Sequence, residues 1–309
     1  MVALAGGVGG AKLVDGLASV LPAEDLTIIV NTGDDFEHLG LNISPDLDTV
    51  MYTLAGLANP ETGWGRADET WSFLETLENL GGPVWFRLGD SDLALHTERT
   101  RRLRNGQTLS EVTAEFGEAF DIHVRLLPMS DDPIHTVVHT DEGALAFQEY
   151  FVARACEPTV SSFEFVGAES AKPAPGVMEA IGQADAVIFC PSNPWVSLDP
   201  ILAIPGVRES VHAKPTICVS PIIAGKAIKG PAAKMYMELN VDPSALAVAQ
   251  HYPQLDALVI DTADAEWMEP IRASGMQPFV TQTVMDSAET RRRLAQEVLE
   301  FIGELEVAF

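Results

Sequence analysis

Short apolar runs alternate with amphipathic stretches along most of the chain. Val2-Ala3-Leu4-Ala5 and Leu26-Thr27-Ile28-Ile29-Val30 read as buried strands, as do Ala186-Val187-Ile188-Phe189-Cys190, Thr216-Ile217-Cys218-Val219 and Ala257-Leu258-Val259-Ile260. Between them the spacing predicts helices. Lys12 to Val20 carries Leu13, Leu17 and Val20 at helical spacing, and Leu47 to Leu57 follows. Glu69 to Leu80 has one apolar stripe of Trp71, Leu74, Leu77 and Leu80, and Ala288 to Ile302 is a closing amphipathic helix. Residues 97–120 read as helical and polar. From about 121 to 166 the pattern changes. Val124–Leu126, Thr136–His139 and Leu145–Val152 are strand-like, and Asp141-Glu142-Gly143 makes a hairpin turn between the last two. Strands separated by helices imply an α/β fold with a mostly parallel sheet. The expected organisation is a single domain over 1–309, with a core of about 1–96 and 167–309 and a smaller region of about 97–166 that contains the hairpin.

The first strand runs into Gly6-Gly7-Val8-Gly9-Gly10-Ala11-Lys12. Strand, glycines and helix in that order form the geometry in which backbone N–H groups and a helix N-terminus hold phosphate. The stretch is not a Walker A loop, because Ala11 separates Gly10 from Lys12. Nor is it the dinucleotide fingerprint, because Lys12 takes the place of the third glycine. Gly6, Gly7, Gly9, Gly10 and Lys12 are the candidate phosphate-binding residues.

Composition narrows the class. The chain is 47% hydrophobic and 21% charged, which suits a globular protein with a large core. No apolar run approaches the roughly 18 residues needed to span a bilayer, and the chain enters its first strand without a basic leader, so a cytoplasmic protein is expected. Cys156, Cys190 and Cys218 form no Cys-x-x-Cys pair, which makes a disulfide framework or a zinc site unexpected. A net charge of −26 disfavours nucleic acid and anionic membrane as partners. Against that background Arg99, Arg101, Arg102 and Arg104 stand out. They read as a solvated helix face, with contact to a partner chain or an anionic substrate as the alternative.

Polar turns follow the strands at Asn31-Thr32-Gly33-Asp34-Asp35, Pro191-Ser192-Asn193-Pro194 and Ser220-Pro221-Ile222. Ligands bind beyond the carboxyl ends of strands in open α/β sheets, so these turns form a plausible rim. Asp46 and Asp48 flank Leu47 just before an apolar helix. One of them can serve as a helix N-cap. Two carboxylates from separate turns, such as Asp34 and Asp46, can instead hold Mg²⁺ beside substrate phosphates. Arg87–Asp92 with His96, and Leu127–Pro133, are further polar patches.

Taken in order, Ala5–Lys12, Asn31–Asp35, Ser44–Tyr52, Leu88–Ala94, Leu127–Pro133, Phe147–Glu149, Pro191–Pro194 and Ser220–Ile222 carry a resemblance over essentially the whole chain. The chain resembles the 2-phospho-L-lactate transferase family (CofD, called FbiA in actinobacteria). The resemblance implies a Rossmann-like core and a Mg²⁺-dependent homodimer that acts in coenzyme F-420 biosynthesis. It implies transfer of a phospho-acid group, from phosphoenolpyruvate or 2-phospho-L-lactate, out of a guanosine diphosphate-linked donor. The acceptor is the ribityl hydroxyl of the deazaflavin FO, and GMP leaves. By position, Asp48 and Arg87 match chromophore-contacting residues, and Asp34 and Asp46 match carboxylates associated with the metal. The glycine stretch, Ser192, Asn193, Ser220 and Pro221 match the surroundings of the guanosine diphosphate. Asp48 is the residue expected to orient or deprotonate the attacking hydroxyl. Gly63–Trp71 and Phe165–Glu169 look nearer to bacterial members and favour phosphoenolpyruvate. The alternatives are a regulatory sugar-nucleotide binder of the gluconeogenesis-factor type and a dinucleotide-dependent oxidoreductase.

Overall fold

The structure is a computed structural model that describes residues 1–228 and 230–308, with side chains described as far as residue 305. Seven parallel strands form the central sheet: β1 (Val2–Ala5), β2 (Thr27–Val30), β3 (Arg125–Pro128), β4 (Val187–Phe189), β5 (Thr216–Val219), β6 (Ala257–Asp261) and β7 (Gln277–Thr281). Their spatial order is β3-β2-β1-β4-β5-β6-β7. This is the doubly wound, Rossmann-like order, and its direction reverses between β1 and β4.

Alternation along the strands builds two cores. Val2 and Leu4 of β1, Ile29 of β2 and Leu258 of β6 face one layer. Ala3, Ala5, Ile28, Val30, Val259 and Ile217 face the other. A strand buried on both faces reads as a continuous apolar run, which is why the expected strands were recognisable. The second core is roofed by α1 (Gly7–Ala18), α2 (Pro45–Leu54) and the C-terminal helix Ala288–Ala308.

Three sequence expectations change. The first helix does not begin at Lys12. It begins at Gly7, so Gly7, Gly9 and Gly10 lie within its first turns rather than in a loop before it. The strand expected at Val124–Leu126 is not part of the hairpin region. It is β3, which extends the main sheet by pairing in parallel with β2. The polar stretch 97–120 is two helices, completed by residues further upstream: α4 (Asp90–Arg104) and α5 (Leu109–Ala119), preceded by a short α3 (Ser72–Asn79).

The hairpin is present as His135–Thr140 against Gly143–Ala146. A third antiparallel strand, Val160–Val166, pairs with the first. The expected strand at 145–152 stops at Ala146, and a π-helical turn, Glu149–Ala153, takes over. That turn points Phe147, Gln148 and Phe151 toward the carboxyl end of the main sheet, where they line the same cleft as the β1 and β4 turns.

Candidate active site

A cleft of about 680 Å³ opens above the β1–β4 switch point. Gly6, Gly7, Gly9, Lys12, Asp34, Asp46, Asp48, Arg87, Ser192, Asn193, Ser220 and Pro221 all line it. Of the expected site residues only Gly10 stands outside the lining. It is buried, and a Cβ there would lie 2.7 Å from Ser192 Oγ.

The glycines serve packing as well as any ligand. A Cβ on Gly6 would meet Asp46 Oδ2 at 2.5 Å and Ser197 Cβ at 2.6 Å, and one on Gly9 would run into the Pro191 carbonyl oxygen. Gly7 has φ +61°, a backbone conformation that glycine adopts at little cost. The Gly7 N–H donates to Asp46 Oδ1 at 2.6 Å. Asp46 therefore caps α1, although it lies in the first turn of α2, where the N-cap position belongs to Ser44. An anionic side chain at the positive end of a helix dipole is favourable. It also takes one of the donors expected for phosphate, which leaves Val8 and Gly9 in the first helical turn, where N–H groups have no intrahelical partner. Ser192 Oγ accepts from Gly6 N at 3.3 Å and donates to Gly6 O at 2.7 Å, locking the β1 turn to the β4 turn. Lys12 Nζ donates to Met285 O at 2.7 Å. Asn193 Oδ1 accepts from Trp195 N, and Ser220 Oγ closes its own turn on Ile222.

Two buried carboxylates meet beside these turns. The Asn31 amide donates to Asp34 Oδ1 at 3.2 Å, to Asp46 Oδ2 at 3.0 Å and to Val196 O at 3.1 Å. Gln148 Nε2 donates to Asp34 Oδ2 at 3.1 Å. Burial, then the neighbouring Asp46 and Asp35, hold the Asp34 carboxyl well above its ordinary range. Burial pushes Asp46 up to about 6, opposed by the bonds from Asn31 and Gly7. Asp35 is also raised by burial, and Ser44 Oγ donates to it at 2.6 Å. Among the described residues no group of three or more His, Cys, Asp or Glu is placed to hold a metal ion. Asp34 and Asp46 nevertheless fit Mg²⁺, which takes one or two protein carboxylates and completes its shell with phosphate and water. A cation there would relieve the like-charge crowding that raises Asp34.

Asp48 is engaged differently. Both of its oxygens accept from the guanidinium of Arg99, with Nη1 at 3.0 Å from Oδ2 and Nη2 bonded to Oδ1. Arg99 is only 1% exposed, so it is not on the solvated face expected for the arginine cluster. Arg101 and Arg102 do pair outward, with Glu98 and Glu115, and Arg104 donates to Gly40 O. His96 Nδ1 lies 3.6 Å from Asp48 Oδ2, and His96 Nε2 lies 3.2 Å from Asp92 Oδ1. Tyr52 OH donates to that same Asp92 oxygen at 2.6 Å. Arg87 is exposed and stacks over the Trp71 ring at 4.5 Å. Asp90, beside it in sequence, accepts from Ser72 N, Phe73 N and Thr70 Oγ1 and holds the start of α3.

The sequence reading set Arg99 on a solvated face and gave Asn31 no more than a place in a rim turn, and it did not gather the aromatic wall of Tyr52, Trp64, Trp85, Phe86, Phe147 and Phe151. Asp92, His96 and Arg99 are spaced four and three apart, which places them on one helix face. That spacing was the available signal.

The architecture so described is an α/β protein whose cleft sits at the switch point of a doubly wound sheet and is lined by acidic turns and aromatic rings. The chain belongs to the 2-phospho-L-lactate transferase CofD family, whose model matches residues 1–300. It is 45% identical over 99% of both chains to a phosphoenolpyruvate transferase of Streptomyces griseus. It is 38% identical to a 2-phospho-L-lactate transferase of Methanosarcina acetivorans, covering 97% of this chain and 98% of that one. A UPF0052-family protein of Bacillus halodurans shares the fold, with TM-score 0.64 and 16% identity over 96% of this chain and 97% of that one. The chain is thus a transferase enzyme of the family that serves coenzyme F-420 biosynthesis. Among the described residues no helix is long and apolar enough to cross a membrane.

Proposed function

We propose that this transferase moves a phosphoenolpyruvyl group from a guanosine diphosphate-linked donor to the ribityl hydroxyl of FO. The acceptor oxygen bonds to the phosphorus that carries the acid. The bond from that phosphorus to the bridging oxygen breaks, GMP leaves, and the hydroxyl proton is released. The observation that carries the reading is the meeting of three features in one cleft: the α1 N-terminus, the buried Asp34–Asp46 pair, and an aromatic wall beside Asp48 and Arg87. Phosphoenolpyruvate is favoured over phospholactate because the relatives that bear the former name are 44–47% identical, against 36–39% for the latter.

Each part has a physical task. Asp34 and Asp46 would hold Mg²⁺, which when bound supplies positive charge against the diphosphate. The free first-turn N–H groups of α1 and the Lys12 ammonium beside them are positioned to receive phosphate oxygens. The rings of Trp64, Trp85 and Phe86 offer an apolar seat for the deazaflavin, with Arg87 beside it. Asp48, with both oxygens held by Arg99, accepts a hydrogen bond from the attacking hydroxyl and orients it. Positioning and charge stabilisation supply most of the acceleration in such transfers.

Calorimetric titration with FO tests the acceptor half directly. Saturable FO binding, weakened by Arg87→Ala, is the expected result. No FO binding together with affinity for a UDP-sugar would favour a regulatory sugar-nucleotide binder instead.

A further inference from the structure

Clustering an arginine, two aspartates, a histidine and a tyrosine in and beside the core is costly, and a well-packed apolar cluster would hold α2 against α4 at least as well. The five groups are not scattered through the core. Asp48, Tyr52, Asp92 and His96 line the cleft, while Arg99 stands behind Asp48, 1% exposed, with no lining contact of its own. Its fork is spent on Asp48: Nη1 and Nη2 each meet one carboxylate oxygen, and Nη1 lies 3.4 Å from His96 Nδ1. A planar bidentate pair fixes the plane of the carboxylate as well as its position, which a single point charge cannot do. The opposite flank is framed by His96, whose Nε2 lies 3.2 Å from Asp92 Oδ1, and Tyr52 donates to the same Asp92 oxygen.

We infer that Arg99 is a positioning residue for the transfer, acting through Asp48. It never reaches the substrate. It sets the orientation of the carboxylate that receives the acceptor hydroxyl. The inference rests on the transferase reading above and adds a residue outside the cleft lining.

A double-mutant cycle over Arg99→Gln, Asp48→Asn and the double variant, measured as kcat and KM for FO and for the guanosine donor, tests it. A misplaced acceptor costs about 10²-fold in rate, so Arg99→Gln is expected to lose about 10²-fold in kcat with KM for the donor unchanged. In the Asp48→Asn background the same change is expected to cost less than about twofold, because a residue that works through Asp48 has nothing left to position. Arg99→Lys keeps the charge but loses the fork, and is expected to recover stability without recovering kcat. Arg99→Gln leaves a buried carboxylate unpaired, which threatens folding. The neutral double variant removes that liability, and its comparison with Asp48→Asn alone, together with Arg99→Lys, still decides the question. Equal multiplicative losses in both backgrounds, or full kcat in Arg99→Lys, would overturn the inference. Wild-type protein that transfers nothing would instead overturn the transferase reading, so the two failures are distinguishable.

Discussion

Asp46→Asn should make the protein more stable at pH 8 while disabling it. Asp46 is buried, and its carboxyl is pushed from an ordinary 3.8 up to about 6. That difference corresponds to ~3 kcal/mol by which ionised Asp46 opposes folding at alkaline pH. The sign follows from proton counting. Between about pH 4 and pH 6 the folded chain binds more protons than the unfolded one. The Asp46 contribution therefore erodes stability as pH rises through that window, and the loss is complete above it. Asparagine removes the charge and can still accept from the Gly7 N–H. It cannot also accept from the Asn31 amide, and losing that bond costs about 1 kcal/mol. The net gain is ~2 kcal/mol at pH 8, about 3 °C in midpoint for a chain of this length. Thermal unfolding followed by circular dichroism at pH 8 and pH 4.5 reads it. The gain should appear at pH 8 and vanish or reverse at pH 4.5. A variant less stable than wild type at pH 8, or a difference that does not change with pH, would show that ionised Asp46 does not oppose folding. Transfer by the same variant is expected to fall at least ~10²-fold, as for other sites that store instability for function.

Other expectations follow from the same contacts. Gly9→Ala sets a methyl group against the Pro191 carbonyl, a backbone atom that cannot swing aside; it should destabilise by about 1–3 kcal/mol in denaturant titrations, and an unchanged midpoint would show that the β4 turn yields. Ser192→Ala removes both bonds between Ser192 and Gly6 and should cost about 1–2 kcal/mol, read by the same titration. Arg87→Ala, at an exposed residue, should leave the unfolding midpoint within about 0.5 kcal/mol and raise KM for FO several-fold. A large stability loss there would mean that the Trp71 stack is structural.

The parts of the fold legible in the sequence are those decided locally. β1, β2, β4, β5 and β6 are short apolar runs because both of their faces are covered, and the glycine stretch after β1 marks the switch-point turn. Sheet membership was less legible. Val124–Leu126 looked like a neighbour of the hairpin because the two adjoin in sequence, yet its partner is β2, about a hundred residues earlier. β7 escaped notice because Gln277–Thr281 is half exposed and contains Pro278, as an edge strand tolerates. The carboxylates of the site were visible as a cluster. Their partners were not, because Arg99 looks like its exposed neighbours Arg101 and Arg104 until α4 is laid against α2. Burial of a charged side chain is a property of the packed molecule and leaves only a faint trace in helical spacing.

Product mass tests directly whether the cleft joins a three-carbon phospho-acid to FO. Purified protein incubated with Mg²⁺, FO and, in separate reactions, guanosine diphosphate-linked phosphoenolpyruvate and phospholactate should be followed by mass spectrometry. The predicted result is a product with the mass of FO plus the phosphoenolpyruvyl group, formed in step with GMP. An unchanged FO mass with both donors would rule that transfer out.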